Sequence, residues 1–149
     1  DGVLTDGGLY YDHEGNELKK FFAQDGHGIK IVQSIGIETM IISGREAACV
    51  NHRAKELCIK YVVQGSRNKL KSFYDQNISI PLEKVCFVGD DTVDVEILNN
   101  VGMSVVVPNI NPTIDVKQFD WVTKRHGGYG AVRDVCDLIY YSKTLNEEI

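Results

Sequence analysis

The sequence lacks the cysteine spacing of a zinc site or a disulfide-stabilised fold. Its four cysteines are far apart and form no C-x-x-C pair; they are Cys49, Cys58, Cys86 and Cys136. Structural zinc sites need closely spaced ligands, and disulfide scaffolds are small domains dense in cysteine. The four histidines show no ligand spacing either. We therefore expect reduced, structural thiols and no zinc.

Long apolar segments and a basic face are also missing. No stretch approaches the ~20 apolar residues that span a bilayer, and no secretory signal pattern is present. The formal net charge is −5, with 16 Lys and Arg against 21 Asp and Glu. Nucleic-acid-binding proteins usually carry a basic face. We expect a soluble cytoplasmic protein that binds neither nucleic acid nor membranes.

Size and organisation favour one folding unit. With 149 residues, 43% of them hydrophobic, the chain can bury one good core. We find no internal repeat, low-complexity segment or linker. The expectation is a single domain over residues 1–149.

The chain alternates short apolar runs with amphipathic stretches. A β-hairpin is predicted over residues 9–22, and Asp25-Gly-His-Gly28 is expected to break the chain before a short helix. Further strands are predicted at 37–42, 61–63, 85–88, 103–107 and, as an edge strand, 121–122. Further helices are predicted at 45–57, 68–76, 92–100 and 131–141. This alternation predicts a Rossmann-like α/β fold, with a parallel sheet covered by helices on both faces.

Two acidic turns stand where buried strands would end. Asp1 and Asp6 bracket a glycine-containing turn, and Gly89-Asp90-Asp91-Thr-Val-Asp94 follows an apolar run. A helix N-terminus favours one acid through capping and the helix dipole. Three carboxylates so close together repel one another unless a cation is present, which favours a metal or active site. Asp1 and Asp6 alone are typical turn acids.

Two further segments could bind an anion. Ser43-Gly44-Arg45 follows another apolar run and offers a hydroxyl, a backbone N–H and a guanidinium. Serine is also simply a good helix cap, so this signal is weak alone. Lys69 could neutralise a phosphate, although a lone lysine is usually solvated. In parallel sheets, ligands bind beyond the carboxyl ends of strands, where both Ser43 and Asp90 are expected.

A glycine-rich segment precedes the last predicted helix. Gly127-Gly-Tyr129-Gly130 could form a phosphate-binding loop, or could only give flexibility to the start of the helix. The residues alone do not favour one interpretation over the other.

Asp1 stands where a strand-to-helix turn begins, yet no strand precedes it in the printed sequence. A parallel sheet lacking that strand would have unpaired edges and an open core. We therefore expect an apolar strand upstream of Asp1 in the natural protein.

The ordered motifs resemble the haloacid dehalogenase superfamily. They are Asp1-Gly-Val-Leu-Thr-Asp-Gly7, Ser43-Gly-Arg45, Gln64-Gly-x-x-Asn-Lys69, Gly89-Asp-Asp-x-x-Asp94 and Gly127-Gly-x-Gly-Ala-Val-Arg133. Within that superfamily the chain is similar to the capless phosphatases of 3-deoxy-D-manno-octulosonate 8-phosphate (KDO 8-phosphate). The similarity covers nearly the whole chain.

The resemblance implies a role for each motif residue. The implied catalytic residues are Asp1, Ser43, Lys69 and Asp94, the substrate-binding residues are Ser43, Gly44, Arg45 and Lys69, and the metal-binding residues are Asp1, Asp90 and Asp91. Asp1 would act as general acid and base and would bind Mg²⁺ through its main-chain carbonyl. Ser43 and Lys69 would hold the phosphoryl group. Asp91 and Asp94 would support the metal and orient Lys69.

The resemblance also implies a homotetramer without a cap domain, in which hairpins pack together. Three positions depart from the family pattern. The nucleophilic first aspartate of the D-x-D-G motif would lie two residues before Asp1 and is absent from the printed sequence. Tyr129 stands where an arginine is common, and Asp134 where a glutamate is common.

The leading hypothesis is a cytoplasmic, Mg²⁺-dependent sugar phosphatase that hydrolyses KDO 8-phosphate through an aspartyl-phosphate, for lipopolysaccharide biosynthesis. A related phosphatase of a nine-carbon sugar acid is an alternative. A second alternative is a non-catalytic oligomerisation module of a sugar-activating cytidylyltransferase, which the missing nucleophile favours and the intact Ser43, Lys69 and Asp90 oppose. A receiver-type signalling domain would also gather acids and a lysine around Mg²⁺, but the hairpin and the glycine-rich segment fit it poorly.

Overall fold

Seven short strands and five α-helices alternate along residues 1–145, the part of the chain that the computed structural model describes. The strands are β1 Tyr10–Tyr11, β2 Glu17–Leu18, β3 Met40–Ile42, β4 Tyr61–Val63, β5 Cys86–Gly89, β6 Met103–Val106 and β7 Trp121–Val122. The α-helices are α1 Ala23–Ser34, α2 Ala48–Glu56, α3 Lys69–Asp75, α4 Val95–Leu98 and α5 Ala131–Thr144.

The strands after the hairpin pair in parallel. β3 pairs with β4, with Ile41 opposite Val62. β5, β6 and β7 form a second group in that order, with β7 at its edge as predicted. β1 and β2 form the predicted antiparallel hairpin, with Tyr10 opposite Leu18. The predicted α/β class with a parallel sheet is confirmed.

A cavity of about 890 Å³ lies between β3 and β5 and is lined by side chains from both strands. Most of its wall is apolar and includes Leu4, Ile41 and Val88. Its polar end holds the candidate site described below. The expectation of a strand upstream of Asp1 stays a prediction.

Two apolar clusters fix the helices on the strands. In the first, Ile29 and Val32 of α1 and Cys136 of α5 pack with Ile41 and Val62 of the strands. In the second, the other strand group packs against α4 and the loop after β6, through Leu98, Val106, Phe119, Phe87 and Val122. No helix within residues 1–145 combines the length and apolar character needed to cross a bilayer.

The prediction that Asp25-Gly-His-Gly28 breaks the chain is wrong, because the segment lies inside α1. Gly28 allows α5 to approach closely. A Cβ at Gly28 would lie 3.0 Å from Cys136 Cβ and 3.2 Å from Arg133 Cα. The low helix propensity of glycine, about 1 kcal/mol relative to alanine, is offset by this packing.

Two predicted helices are shorter than expected. Residues 45–47 precede α2 because they bond to the loop after β4: Gly65 N–H donates to Arg45 O (3.2 Å) and Ala47 N–H donates to the Gln64 side chain (2.9 Å). The stretch predicted as a helix over 92–100 is a 3₁₀ turn, Thr92–Asp94, followed by the single turn of α4.

The carboxylate of Asp25 is buried between α1 and α5. Only 1% of the residue is exposed, and its Oδ1 accepts the N–H of Arg133 in the first turn of α5 (2.8 Å). This bond satisfies one of the unpaired donors at the start of the helix. Burial raises the pKa of Asp25, although the Arg133 N–H and the charge of Arg125 oppose the rise. The folded protein therefore holds this proton more tightly than the unfolded chain does.

This shift predicts a pH-dependent stability. A carboxyl whose pKa is raised by folding binds more protons in the folded state, so the free energy of unfolding falls as pH rises from about 4 through the raised pKa. Asp25→Asn removes that titration. In urea titrations between pH 4 and 7.5, we expect the stability of the variant relative to wild type to increase with pH.

Asp75→Asn, at an exposed position of α3, is the control and should not reproduce the trend. A constant stability difference between Asp25→Asn and wild type across this pH range would contradict the assignment.

Candidate active site

Four of the residues predicted to carry chemistry line the polar end of the cavity. They are Asp1, Ser43, Lys69 and Asp90. Ser43 directly follows β3, Asp90 directly follows β5, and Lys69 is the first residue of α3. The carboxyl ends of two parallel strands therefore bring these side chains together, as the sequence predicts.

Asp94 organises the second acidic turn from inside the protein. Its residue exposure is 0%. Its Oδ2 accepts the N–H groups of Asp90 (2.9 Å) and Asp91 (3.2 Å), and its Oδ1 lies 2.5 Å from the Lys69 ammonium. The Lys69–Asp94 contact that the family resemblance implies is therefore present. The capping interpretation is correct as well, because Asp91 and Asp94 form a capping box.

Asp90 lies in a partly buried, acidic environment. Burial and the nearby charge of Asp94 raise the pKa of Asp90 to about 6. The charge of Lys69 opposes this rise, and the N–H of Asn111 donates to the Asp90 carbonyl (2.8 Å), which holds the backbone. A carboxylate in this environment is well suited to a bound cation.

Asp91 has partners that hold it in the turn. Its Oδ1 accepts from Thr92 N–H (2.7 Å) and from the Asn111 side chain (2.9 Å). These bonds, the Thr92 N–H first, lower the pKa of Asp91. The carboxylate is thus ionised and fixed beside Asp90.

The Asp1 turn is tied together by a buried threonine. Thr5 is 3% exposed, and its hydroxyl accepts from Gly2 N–H (3.2 Å) and Gly7 N–H (3.3 Å) while donating to Asp1 Oδ1 (3.4 Å). Asp6 acts as a turn acid, accepting from Gly8 N–H (2.9 Å) and from the Tyr10 hydroxyl (2.6 Å). Asp1 and Asp6 therefore have different environments within one turn.

A charge network missed by sequence analysis surrounds Asp1. The Lys19 side chain is only 1% exposed, and its ammonium lies 2.5 Å from Asp1 Oδ1 and 3.0 Å from Glu17 Oε1. Arg45 reaches the same Glu17 oxygen (3.2 Å) and lies 3.8 Å from Asp1 Oδ2. The two cations, Lys19 first, lower the pKa of Glu17. Glu17 begins β2 and Lys19 directly follows that strand, in a hairpin whose sequence pattern indicated structure alone.

The Ser43 segment forms a tight turn at the end of β3. Ser43 is 6% exposed, and its hydroxyl accepts the Arg45 N–H (3.2 Å). Gly44 has room around it, since a Cβ there would meet only Ser66 O at 3.5 Å. The guanidinium of Arg45 is half exposed. The segment thus places a buried serine in the cavity wall and a half-exposed guanidinium 3.8 Å from Asp1 Oδ2.

The glycine-rich segment before α5 packs on the Asp1 turn. A Cβ at Gly127 would lie 1.7 Å from Gly2 O, and one at Gly128 would lie 2.2 Å from Asp6 N. Gly128 N–H donates to Val3 O (3.0 Å). Both glycines are therefore required for direct contact between two stretches of backbone, a use that neither sequence interpretation anticipated.

Asn109 connects the same two segments and was also missed. Its Nδ2 donates to Gly2 O (2.9 Å), and its Oδ1 accepts from Gly127 N–H (2.8 Å). Nothing in the pattern around a loop asparagine distinguishes this position from a solvated one.

Tyr129 and Asp134, the two residues near the glycine-rich segment that depart from the family pattern, have different environments. Tyr129 is 52% exposed, and the Lys20 ammonium lies 3.4 Å from its ring centroid. Asp134 pairs with the Arg125 guanidinium (2.7 Å). Tyr129 is thus an exposed aromatic side chain beside the Asp1 turn, whereas Asp134 fixes the loop before α5.

The donor set suits Mg²⁺ more than a softer metal. Within residues 1–145, no three His, Cys, Asp or Glu side chains lie close enough together to hold a metal ion. Mg²⁺ commonly uses only one or two protein carboxylates and keeps several waters. Asp90 supplies a carboxylate, and a Cβ at Gly2 would lie 1.8 Å from Asp90 Oδ2, so the Asp1–Gly2 backbone lies directly against that carboxylate. An oxygen-only site with few side-chain ligands fits these residues.

Comparison with known proteins agrees with this geometry. Residues 67–133 match the family model described as haloacid dehalogenase-like hydrolase. The chain is 43% identical over 150 residues to the 3-deoxy-D-manno-octulosonate 8-phosphate phosphatase KdsC of Escherichia coli K12, covering 99% of this chain and 79% of that protein.

Solved structures of phosphatases with the same substrate name superpose closely on this chain. The Moraxella catarrhalis 3-deoxy-D-manno-octulosonate 8-phosphate phosphatase, in complex with magnesium ion, phosphate ion and KDO, superposes with a TM-score of 0.89 at 36% identity, covering 98% of this chain and 88% of that chain. The cobalt-bound Haemophilus influenzae deoxy-D-mannose-octulosonate 8-phosphate phosphatase gives 0.89 at 34% identity, covering 97% and 85%.

The fold and the paired acidic turns define a haloacid dehalogenase-like hydrolase. Among these hydrolases, the chain belongs to the family of 3-deoxy-D-manno-octulosonate 8-phosphate phosphatases.

The buried Lys69–Asp94 pair gives a stability prediction. Lys69→Met keeps the aliphatic stem but leaves Asp94 buried and uncompensated, which should lower the free energy of unfolding by about 3–5 kcal/mol. Adding Asp94→Asn should restore part of that loss. Urea titration in metal-free buffer measures both variants.

The matched control is Lys71→Met on the same helix, where the lysine side chain is 72% exposed. Its stability should stay within about 0.5 kcal/mol of wild type. Equal losses from the two lysine variants would show that the Lys69–Asp94 pair has no special role in stability.

Proposed function

We propose that this protein hydrolyses KDO 8-phosphate to the free sugar acid and phosphate in a Mg²⁺-dependent reaction. The convergence of Asp1, Ser43, Lys69 and Asp90 on one end of the cavity carries the proposal. We infer the substrate from the related proteins, which are 3-deoxy-D-manno-octulosonate 8-phosphate phosphatases. We infer the cofactor and the product from the Moraxella catarrhalis complex, which contains magnesium and phosphate ions.

Ser43 and Lys69 would bind the phosphoryl group. The Ser43 hydroxyl lies at the start of a turn with a free approach from the cavity, and the Lys69 ammonium is oriented by Asp94. A fixed cation and a hydroxyl donor stabilise the charge that spreads over phosphoryl oxygens during transfer. Positioning by a buried carboxylate means that little reorganisation is needed when the substrate arrives.

Asp1 would act as the general acid and then as the general base of the reaction. It would first protonate the oxygen of the leaving sugar as the phosphoryl group passes to an aspartate, and would then deprotonate the water that attacks the aspartyl-phosphate and releases phosphate. No residue of the printed sequence corresponds to the first aspartate of the D-x-D-G motif. The residues present therefore account for proton transfer and phosphoryl binding, not for nucleophilic attack.

The Asp90 carboxylate and the Asp1 main-chain carbonyl would hold Mg²⁺, with Asp91 supporting the site from beside Asp90. When bound, the cation neutralises charge on the transferring phosphoryl group. The raised pKa of Asp90 supports this assignment, because burial and the nearby Asp94 charge disfavour the ionised carboxylate, which a bound cation would favour.

Arg45 and Gly44 would face the sugar acid at the mouth of the cavity. Glu17 holds the Arg45 guanidinium at 3.2 Å while leaving it half exposed. A guanidinium in a fixed position suits the carboxylate of a keto-acid sugar.

We further propose a homotetramer in the cytoplasm, acting in lipopolysaccharide biosynthesis. The hairpin exposes four large apolar side chains, each more than 40% accessible: Leu9, Tyr10, Tyr11 and Leu18. Such a patch is typical of an association surface, and light scattering would give the mass of the assembly. All four cysteines are free thiols, which fits a reducing compartment; cell fractionation would test the location.

The substitution Asp90→Asn tests the metal-dependent reaction. It removes a ligand charge while keeping the shape of the side chain, so phosphate release from KDO 8-phosphate in Mg²⁺ should fall at least about 100-fold, the upper range for loss of groups that tune a metal site. Circular dichroism should show that the fold is retained. Asp75→Asn, at an exposed position of α3 that does not line the cavity, should keep wild-type turnover. Near-normal phosphate release by Asp90→Asn would refute the proposed reaction.

The substitution Arg45→Ala tests substrate recognition. Loss of one charge-assisted contact, about 1.4 kcal/mol, should raise KM for KDO 8-phosphate about tenfold with a smaller effect on kcat. Arg53→Ala is the control, since Arg53 pairs with Glu56 on α2. A nine-carbon substrate preferred by wild type, with no KM effect of Arg45→Ala on KDO 8-phosphate, would contradict this assignment and favour the related phosphatase.

A further inference from the structure

The loop after β6 contacts both acidic turns at once. Val107 N–H bonds to Gly89 O at the end of β5 (3.4 Å), and the chain then passes Pro108 to reach Asn109 and Asn111. Asn109 contacts the Asp1 turn, and Asn111 contacts the Asp90 turn. Two asparagines only two residues apart thus bridge the two segments that would supply the cation ligands.

Asn109 holds the Asp1 turn through its side-chain amide. The Nδ2 donates to Gly2 O (2.9 Å), and the Oδ1 accepts from Gly127 N–H (2.8 Å). A carbonyl can only accept and an N–H can only donate, so these partners determine the orientation of the amide. Gly2 directly follows the Asp1 carbonyl and lies against the Asp90 carboxylate, where a Cβ would come within 1.8 Å of Oδ2.

Asn111 holds the other turn. Its backbone N–H donates to Asp90 O (2.8 Å), and its Nδ2 donates to Asp91 Oδ1 (2.9 Å). Its own Oδ1 accepts from the Thr113 N–H (3.1 Å) and hydroxyl (2.8 Å), which fixes the side chain in an Asx turn. The loop is therefore rigid at both points of contact.

We propose that Asn109 and Asn111 are positioning residues that set the separation of the Asp1 carbonyl and the Asp90 carboxylate. The inference rests on the proposed function, in which these two groups hold Mg²⁺. That cation demands near-ideal octahedral geometry at about 2.1 Å, so a small displacement of one ligand weakens binding. Asn109 acts through the Gly2 carbonyl, and Asn111 acts through the Asp90 carbonyl and the Asp91 carboxylate.

The experiment measures Mn²⁺ binding, with Mn²⁺ as a paramagnetic probe of the site, by electron paramagnetic resonance on the full-length protein. Asn109→Ala removes both amide bonds. Asn109→Asp keeps the acceptor for Gly127 N–H but places a carboxylate oxygen against Gly2 O. The added negative charge would by itself favour a cation, so weaker binding by Asn109→Asp must come from the lost donor.

We expect both Asn109 variants to bind Mn²⁺ about 10- to 100-fold more weakly, as for other groups that orient metal ligands. Asn111→Ala, which keeps the backbone bond to Asp90, should weaken binding severalfold. With metal at saturation, KM for KDO 8-phosphate should stay within about twofold of wild type, because the substrate contacts are unchanged. Asn100→Asp, which adds the same charge beyond α4, should leave Mn²⁺ affinity unchanged.

Mn²⁺ affinities within twofold of wild type in the Asn109 and Asn111 variants would overturn the inference, whatever happens to their melting temperatures. Mn²⁺ binding by a wild-type protein that releases no phosphate from KDO 8-phosphate would refute the proposed function alone, and the comparison of affinities would still decide the role of the asparagines. Absence of Mn²⁺ binding by wild type would overturn both.

Discussion

The carboxylate of Asp94 is the group on which the rest of the candidate active site depends. One of its oxygens holds the backbone N–H groups of Asp90 and Asp91, and the other pairs with Lys69. A fully buried carboxylate is tolerated only when it is paired and hydrogen-bonded. The same contacts that make Asp94 acceptable in the interior therefore fix an acidic turn and a phosphate-binding lysine relative to each other.

Close approach between backbones is the second constraint. Gly2 lies against the Asp90 carboxylate, and Gly127 lies against the Gly2 carbonyl, so neither position has room for a side chain. The side-chain amide of Asn109 connects the same two segments, because it donates to Gly2 O and accepts from Gly127 N–H. Parts of the chain more than 100 residues apart thus form one rigid unit around the site, and that rigidity favours electrostatic stabilisation of a transferring phosphoryl group.

The strands and the residues that follow them could be predicted, because apolar runs identify buried strands and the carboxyl ends of parallel strands share one edge. These two patterns correctly predicted that Ser43 and Asp90 line the same site. The prediction of a chain break around Asp25 and Gly28 was wrong, because packing of α1 against α5 overrides the helix-breaking tendency of glycine. Tertiary contacts, not local preference, decided that element.

Lys19 and Asn109 could not have been found from the sequence. Asn109 meets Gly2 across 107 residues, and Lys19 meets Asp1 across a hairpin. A lysine or an asparagine in a polar stretch gives the same local pattern whether it is solvated or bonded to a distant backbone atom. Only the folded arrangement distinguishes these cases.

We propose that the two acidic turns together form one cation site. The most direct test is anomalous diffraction from crystals of the full-length protein grown with Mn²⁺. We expect a single strong peak in contact with the Asp90 carboxylate and the Asp1 main-chain carbonyl. A peak elsewhere, with no ion at Asp90, would contradict it.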